Sequence, residues 1–116
     1  MPPRDWTLRV TDILSAIEAI ADYTSGLDFP SFSGDRRTVD AVVRNLTVIG
    51  EAASRIPTGV VSKHPEVPWR DMADVRNVVV HEYFGVDERV IWDTIKKDLP
   101  PLVAPLSKLL RDSESR

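Results

Sequence analysis

The segment 76–83, Arg-Asn-Val-Val-Val-His-Glu-Tyr, carries the side chains of this sequence that are best suited to chemistry. It contains His81, one of only two histidines, and Arg76, which lies five residues earlier. Histidine can move a proton near neutral pH, whereas arginine stays charged and binds phosphate oxygens in pairs. Together they suit cleavage of RNA by its own 2′-hydroxyl group, with His81 moving the proton and Arg76 stabilising the phosphorane-like transition state. In the plainer interpretation, His81 is a core histidine satisfied by a hydrogen bond.

The spacing of these residues has consequences if the segment is helical. Asn77 lies four residues before His81 and Asp74 seven before it, so either side chain could orient the imidazole along one row of a helix. Arg76 is roughly 140° around the helix axis from His81, so the two do not meet automatically within one helix. They would converge if the helix faced its own copy across a two-fold axis. We therefore expect a homodimer, with Arg76 and His81 of both chains in one cleft; assembly beyond the dimer is left open.

Other catalytic chemistries find little support in the sequence. There is no cysteine, which excludes disulfides, thiolate zinc sites and a cysteine nucleophile. His64 lies in a proline-rich loop, where a solvated histidine is the default. One histidine with scattered carboxylates is weak evidence for a metal-ligand set. The chemistry assigned to Arg76 and His81 needs no metal and no cofactor.

Composition and charge set the class of protein. The 116 residues are 42% hydrophobic and 28% charged, which predicts one globular domain covering 1–116. The net charge of −3 means that any RNA must bind at a local basic site and not over the whole surface. The sequence contains no apolar run of the ~18 residues needed to span a membrane and no secretory leader pattern at its start. We expect a cytoplasmic protein.

Hydrophobic periodicity predicts an all-α fold, an antiparallel bundle of four to five helices. Three consecutive valines, 78–80, would fit a strand equally well, but the surrounding segment lacks period-two alternation and has no partner strand. Loops are expected at 25–34 and 57–68, and a frayed tail from Asp112 to Arg116. The expected helices are an Asp5-capped helix to about Tyr23, one from near Asp35 to Ile56, one from Trp69 to Phe84 with Gly85 beyond its end, an Asp87-capped helix from Glu88 to about Lys97, and a short one carrying Leu102, Leu106, Leu109 and Leu110.

Gly50 stands in the middle of the second predicted helix, where glycine costs about 1 kcal/mol relative to alanine. Such a cost suggests an offsetting benefit. The favoured explanation is close approach of another helix backbone over Gly50, Ala52 and Ala53.

Several blocks of the sequence resemble the HepT-like branch of the HEPN superfamily in the same order. The central match is Arg76, four residues, His81, one residue and Tyr83, with Asn77 directly after the arginine. The resemblance covers nearly the whole chain. Its other blocks are Phe-Ser-Gly-Asp-Arg-Arg-Thr at 32–38, Asp-Ala-Val-Val-Arg-Asn-Leu at 40–46, Ile-Gly-Glu-Ala-Ala at 49–53, Pro-Trp-Arg at 68–70, and Tyr-Phe-Gly-Val-Asp at 83–87 with Trp92.

The resemblance implies a dimerising helical bundle and a metal-independent ribonuclease toxin. Arg76 and His81 would be its catalytic residues, with Asn77 in support. It also implies a partner, a minimal nucleotidyltransferase antitoxin that modifies Tyr83 with AMP. Tyr83 lies seven residues after Arg76 on the same predicted row, so a bulky anionic adduct there would occupy the arginine and block RNA.

Two alternatives remain open from the sequence. The chain could be a non-catalytic helical partner that a nucleotidyltransferase binds and modifies, or a structural bundle without a site. Tyr83 could then serve only in packing or hydrogen bonding. Glu82, inside the central match, adds negative charge near the supposed RNA cleft.

Overall fold

The computed structural model describes residues 5–83 and 88–114, and over 78–83 it describes the backbone alone. The described residues are helical, with no strand among them, which confirms the predicted all-α bundle. The helices are α1 (Trp6–Thr24), α2 (Phe29–Ser33), α3 (Arg36–Ser54), α4 (Thr58–Lys63), α5 (Trp69–Tyr83), α6 (Glu88–Asp93) and α7 (Val103–Glu114), with a π-helical turn at Thr94–Asp98 and a 3₁₀ turn at Pro100–Leu102.

Helix α3 lies at the centre of the fold, because it packs against both α1 and α5. Its buried positions recur every three or four residues, the repeat of an amphipathic helix. Helix α1 contributes the matching apolar row, and α7 packs on α1 from outside. Their fully or nearly fully buried side chains are Val10, Ile13, Ile17, Ile20, Val39, Val42, Leu46, Ile49, Leu106 and Leu109.

The first helix has the predicted boundaries because its ends are defined by local hydrogen bonds. The carboxylate of Asp5 accepts the backbone N–H of Thr7 at 2.9 Å, which satisfies one of the donors left open at a helix start. At the other end Ser25 is the C-cap, and Gly26 follows with a φ of 77°, in the left-handed region that glycine adopts without strain.

Two segments expected to be loops contain short helices. In the first, the carboxylate of Asp28 accepts the backbone N–H of Ser31 at 2.9 Å and begins α2, whose Phe32 is fully buried. In the second, Pro57 precedes α4, where a proline is compatible with a helix start. The prediction of loops was therefore wrong for these two segments. The helices were missed because they are too short to show a hydrophobic repeat.

The carboxyl-terminal third departs from a plain helix–break–helix pattern. Helix α6 ends at Asp93 and is followed by a π-helical turn, which is wider than an α-helix. In this turn the Leu99 N–H donates to the carbonyl oxygen of Thr94 at 3.3 Å. The expected break at the two prolines is a 3₁₀ turn. Helix α7 then continues to Glu114. The expectation of a frayed tail from Asp112 was therefore wrong as far as Glu114.

The valine run 78–80 continues α5 as helix, so the strand alternative is excluded. Phe84, Gly85 and Asp87, the predicted end of that helix and start of the next, lie outside the described residues. None of the helices described is both long and apolar enough to cross a lipid bilayer.

Candidate active site

Over 69–77, helix α5 presents one face to the core and the other to solvent. Trp69, Met72 and Val75 are buried on its inner face. The Trp69 indole N–H also donates to the carbonyl oxygen of His64 at 3.1 Å and fixes the start of the helix. Arg76 and Asn77 are exposed, one and two residues beyond the last buried position. The packing of α5 therefore turns these two predicted site residues outward, where a substrate can reach them.

The Arg76 side chain is held at two points, although it is 46% exposed. Its Nε–H donates to the carbonyl oxygen of Ala73 at 3.2 Å, and its Nη1 donates to Oε1 of Glu51 on α3 at 3.0 Å. Among the described residues, Nη2 has no hydrogen-bond partner. The guanidinium group is thus anchored through two of its nitrogens, and its Nη2 donors can bind an anion.

Gly50 makes room for the stem of Arg76. A Cβ atom added at Gly50 would overlap Cγ of Arg76 and lie 3.1 Å from its Cδ and 3.3 Å from the carbonyl oxygen of Ala73. The sequence-based explanation, approach of another helix backbone, is confirmed in part: the Ala73 carbonyl oxygen of α5 approaches Gly50, but the nearest atoms belong to the Arg76 side chain. The approaching group is the Arg76 side chain together with the backbone of α5.

Glu51 is a residue of the site that sequence reasoning missed. It lies 25 positions before Arg76 in the sequence and directly follows Gly50. Its second carboxylate oxygen lies 3.7 Å from Nε of Arg55, one turn further along α3. One carboxylate thus faces two guanidinium groups, so these three side chains together carry one net positive charge. Two signals in the sequence pointed to it: its position beside Gly50 and its place in the 49–53 block of the family resemblance.

The remaining predicted site residues are only partly located. Asn77 and Asp74 are exposed on α5, and neither has a hydrogen-bond partner among the residues described. The backbones of His81 and Tyr83 belong to α5, but their side chains lie outside the described residues. The predicted convergence of Arg76 and His81, and the orientation of the imidazole by Asp74 or Asn77, stay predictions.

His64 lies apart from this site, at the end of α4. Its Nδ1 is 3.3 Å from Oε1 of Glu66, and its side chain is 28% exposed. The pKa of Glu66 is lowered, chiefly by a hydrogen bond with its own backbone and further by the contact with His64. This explains His64 as a local partner of a neighbouring carboxylate. Over the described ranges, no three histidine or carboxylate side chains cluster as a metal site would require.

Comparison with known proteins gives a consistent result. Residues 13–109 match the family described as "Ribonuclease HepT-like". The chain is 47% identical over 98 residues to "Probable ribonuclease HepT" of Thermococcus cleftensis, covering 84% of this chain and 89% of that protein. It is 36% identical over 114 residues to "Putative RNase MJ0127" of Methanocaldococcus jannaschii, covering 98% and 94%. It is 38% identical over 99 residues to "Putative RNase TTE0752" of Caldanaerobacter subterraneus, covering 85% and 88%.

No solved structure matches the chain. The family match spans α3 and α5, the two helices that hold Arg76 and Glu51 together. On this match and on relatives that are similar over most of their own length, the chain belongs to the HepT-like ribonuclease family.

Proposed function

We propose that this protein is a toxin-type, metal-independent endoribonuclease, with Arg76 and His81 as catalytic residues and Asn77 in support. The observation that carries the proposal is the Arg76 guanidinium at the surface of α5, which is anchored through Nε and Nη1 and has no partner for Nη2 among the described residues. Such a group can bind a phosphate through two parallel N–H bonds. Membership of a ribonuclease family supports RNA as the source of that phosphate.

The proposed reaction is internal transesterification. The 2′-hydroxyl oxygen attacks the adjacent phosphorus while its proton passes to the His81 imidazole. The bond between phosphorus and the 5′-oxygen breaks, and that oxygen takes up the proton that the imidazolium gives back. Arg76 stabilises the extra negative charge on the phosphorane-like transition state. The products are a 2′,3′-cyclic phosphate and a free 5′-hydroxyl group, and every step can proceed without a metal ion.

The experiment is RNA cleavage by the purified, unmodified protein in EDTA, with analysis of the new ends. We expect a 2′,3′-cyclic phosphate or its hydrolysis product, and loss of cleavage in Arg76→Ala and in His81→Ala. Asp40→Asn is the control, because Asp40 pairs with Arg36 at 3.1 Å on the outer surface of α3. Cleavage that persists without His81, or that requires a divalent metal, contradicts the proposal.

We also propose that two copies of α5 face each other and complete the site, since Arg76 and His81 lie on different rows of the helix. Sedimentation of the purified protein tests this part. A dimer is the expected species at the concentrations where RNA is cut. A protein that cleaves RNA as a monomer contradicts the shared cleft.

The proposed partner is a minimal nucleotidyltransferase antitoxin that transfers AMP to Tyr83. Both Arg76 and Tyr83 belong to α5, seven residues apart, so an anionic adduct on the tyrosine would lie near the guanidinium. Incubation with such an enzyme and ATP should add AMP-sized masses to the chain and stop RNA cleavage. Tyr83→Phe should remain active and unmodified. Modification without any nuclease activity would favour the non-catalytic partner instead.

A further inference from the structure

We propose that Glu51 is the positioning residue for Arg76. Its carboxylate fixes Nη1 of the guanidinium group so that Nη2 faces the RNA phosphate. This inference rests on the proposed nuclease function and adds a residue from α3, a different helix, to a site otherwise built from α5.

The hydrogen bonds of Arg76 show how the positioning works. A guanidinium group carries five N–H donors in a rigid plane. One donor is used on the carbonyl oxygen of Ala73 and one on Oε1 of Glu51, and the other three have no partner among the described residues. Two anchors from different helices fix both the place and the rotation of the plane. A free arginine would have to lose that side-chain freedom when the phosphate binds.

Charge does not make Glu51 a competitor of the phosphate. Its carboxylate contacts Nη1 of Arg76, and its other oxygen faces Arg55 at 3.7 Å. Two arginines share this one carboxylate, so the group of three keeps a net positive charge. Glu51 therefore holds Arg76 in place without cancelling the attraction for RNA.

Two substitutions separate position from charge. Glu51→Gln keeps an oxygen that can accept the Nη1 hydrogen bond but removes the negative charge, whereas Glu51→Ala removes both. We expect Glu51→Ala to lower kcat for RNA cleavage about tenfold, because a clamp on the transition state is lost. KM should change less than about twofold. Glu51→Gln should stay within about threefold of the unsubstituted protein, and Asp40→Asn should be unchanged.

A second measurement follows Arg76 directly and does not need activity. The side-chain Nε–H signal of Arg76 in a ¹⁵N NMR spectrum is assigned by its absence in Arg76→Lys. Its solvent exchange should be faster in Glu51→Ala than in Glu51→Gln, because only the amide oxygen still holds the guanidinium. This readout also shows whether each variant is folded.

Full kcat in folded Glu51→Ala, or equal Nε–H exchange in the alanine and glutamine variants, overturns the inference. Increased activity in both variants overturns it as well, since the carboxylate would then be a competitor of RNA. These results leave the nuclease proposal intact if Arg76→Ala is inactive. Absence of RNA cleavage by the unsubstituted protein overturns the proposed function and the catalytic role of Glu51 together, even where the NMR difference is seen.

Discussion

Replacing Gly50 by alanine puts two effects of known sign against each other. Alanine is the better helix former by about 0.5–1 kcal/mol, so the substitution would stabilise an isolated α3. In the folded protein the new Cβ overlaps Cγ of Arg76 and lies 3.3 Å from the Ala73 carbonyl oxygen. Forcing an extra methyl group into a packed contact costs about 1–3 kcal/mol. The clash therefore wins, and we expect a net loss of about 1 kcal/mol.

Gly59 in α4 offers a matched control. A Cβ atom added there meets nothing within 4 Å, so Gly59→Ala has the conformational benefit without the clash. We expect it to stabilise the protein by about 0.4–1 kcal/mol. Urea unfolding of both variants, followed by circular dichroism, should show that the free energy of unfolding decreases in Gly50→Ala and increases in Gly59→Ala.

The source of the clash is tested by repeating Gly50→Ala in an Arg76→Ala background. Of the three atoms nearest to the new methyl group, removal of Cγ and Cδ leaves the Ala73 carbonyl oxygen. The cost of Gly50→Ala should then fall by about 1 kcal/mol or more, a coupling typical of residues in direct contact. Gly50→Ala should also lower RNA cleavage in the otherwise unsubstituted protein by displacing the guanidinium. Equal stabilisation by Gly50→Ala and Gly59→Ala, or no coupling with Arg76, would refute the reasoning.

Three further predictions concern the framework. Leu46→Ala should lower the free energy of unfolding by about 2–5 kcal/mol in urea titrations, since Leu46 is fully buried in α3. Trp69→Phe should cost about 1–3 kcal/mol on the same measure, because the carbonyl oxygen of His64 loses its indole donor. Hydrogen bonds from the Thr38 hydroxyl and backbone N–H lower the pKa of the Asp35 carboxylate, which caps α3. The cap therefore stabilises the fold above the unfolded pKa of about 3.9, and this stabilisation is lost as the pH falls through the lower pKa of the folded state. The stability difference between Asp35→Ala and the unsubstituted protein, measured by thermal unfolding, should therefore be present at pH 7 and shrink below pH of about 4; a constant difference would contradict this.

The long helices were predictable because their signals are local and repeated. The apolar row of α1 and the heptad-like spacing in α3 each specify a buried face without knowledge of the partner helix. Capping by Asp5 and Asp35 is equally local, since the accepting and donating groups lie within three residues. The long helices, including the one that carries the candidate site, could therefore be predicted from the sequence.

The features that were not predicted are either helices too short to recognise or contacts between residues far apart in the sequence. Helices α2 and α4 have five and six residues, too few for a hydrophobic repeat to be recognised. The Arg76–Glu51 pair joins two helices, and neither its register nor its distance follows from residue types. Gly50 indicated that something approached α3, but only the structure shows that the approaching group is the candidate catalytic arginine.

The π-helical turn at Thr94–Asp98 sets the direction in which the side chains after α6 point around the helix axis. Ile91, Ile95 and Leu99 are all buried, although steps of four residues would drift by roughly 40° each on a regular α-helix. The wider turn absorbs this drift and keeps the three side chains on one side. Deleting a single residue from the turn would rotate everything downstream by roughly 100° relative to α6 and swing the leucines of α7 away from α1. This short stretch thus acts as a rotational spacer, and its length is less tolerant of change than its residue types.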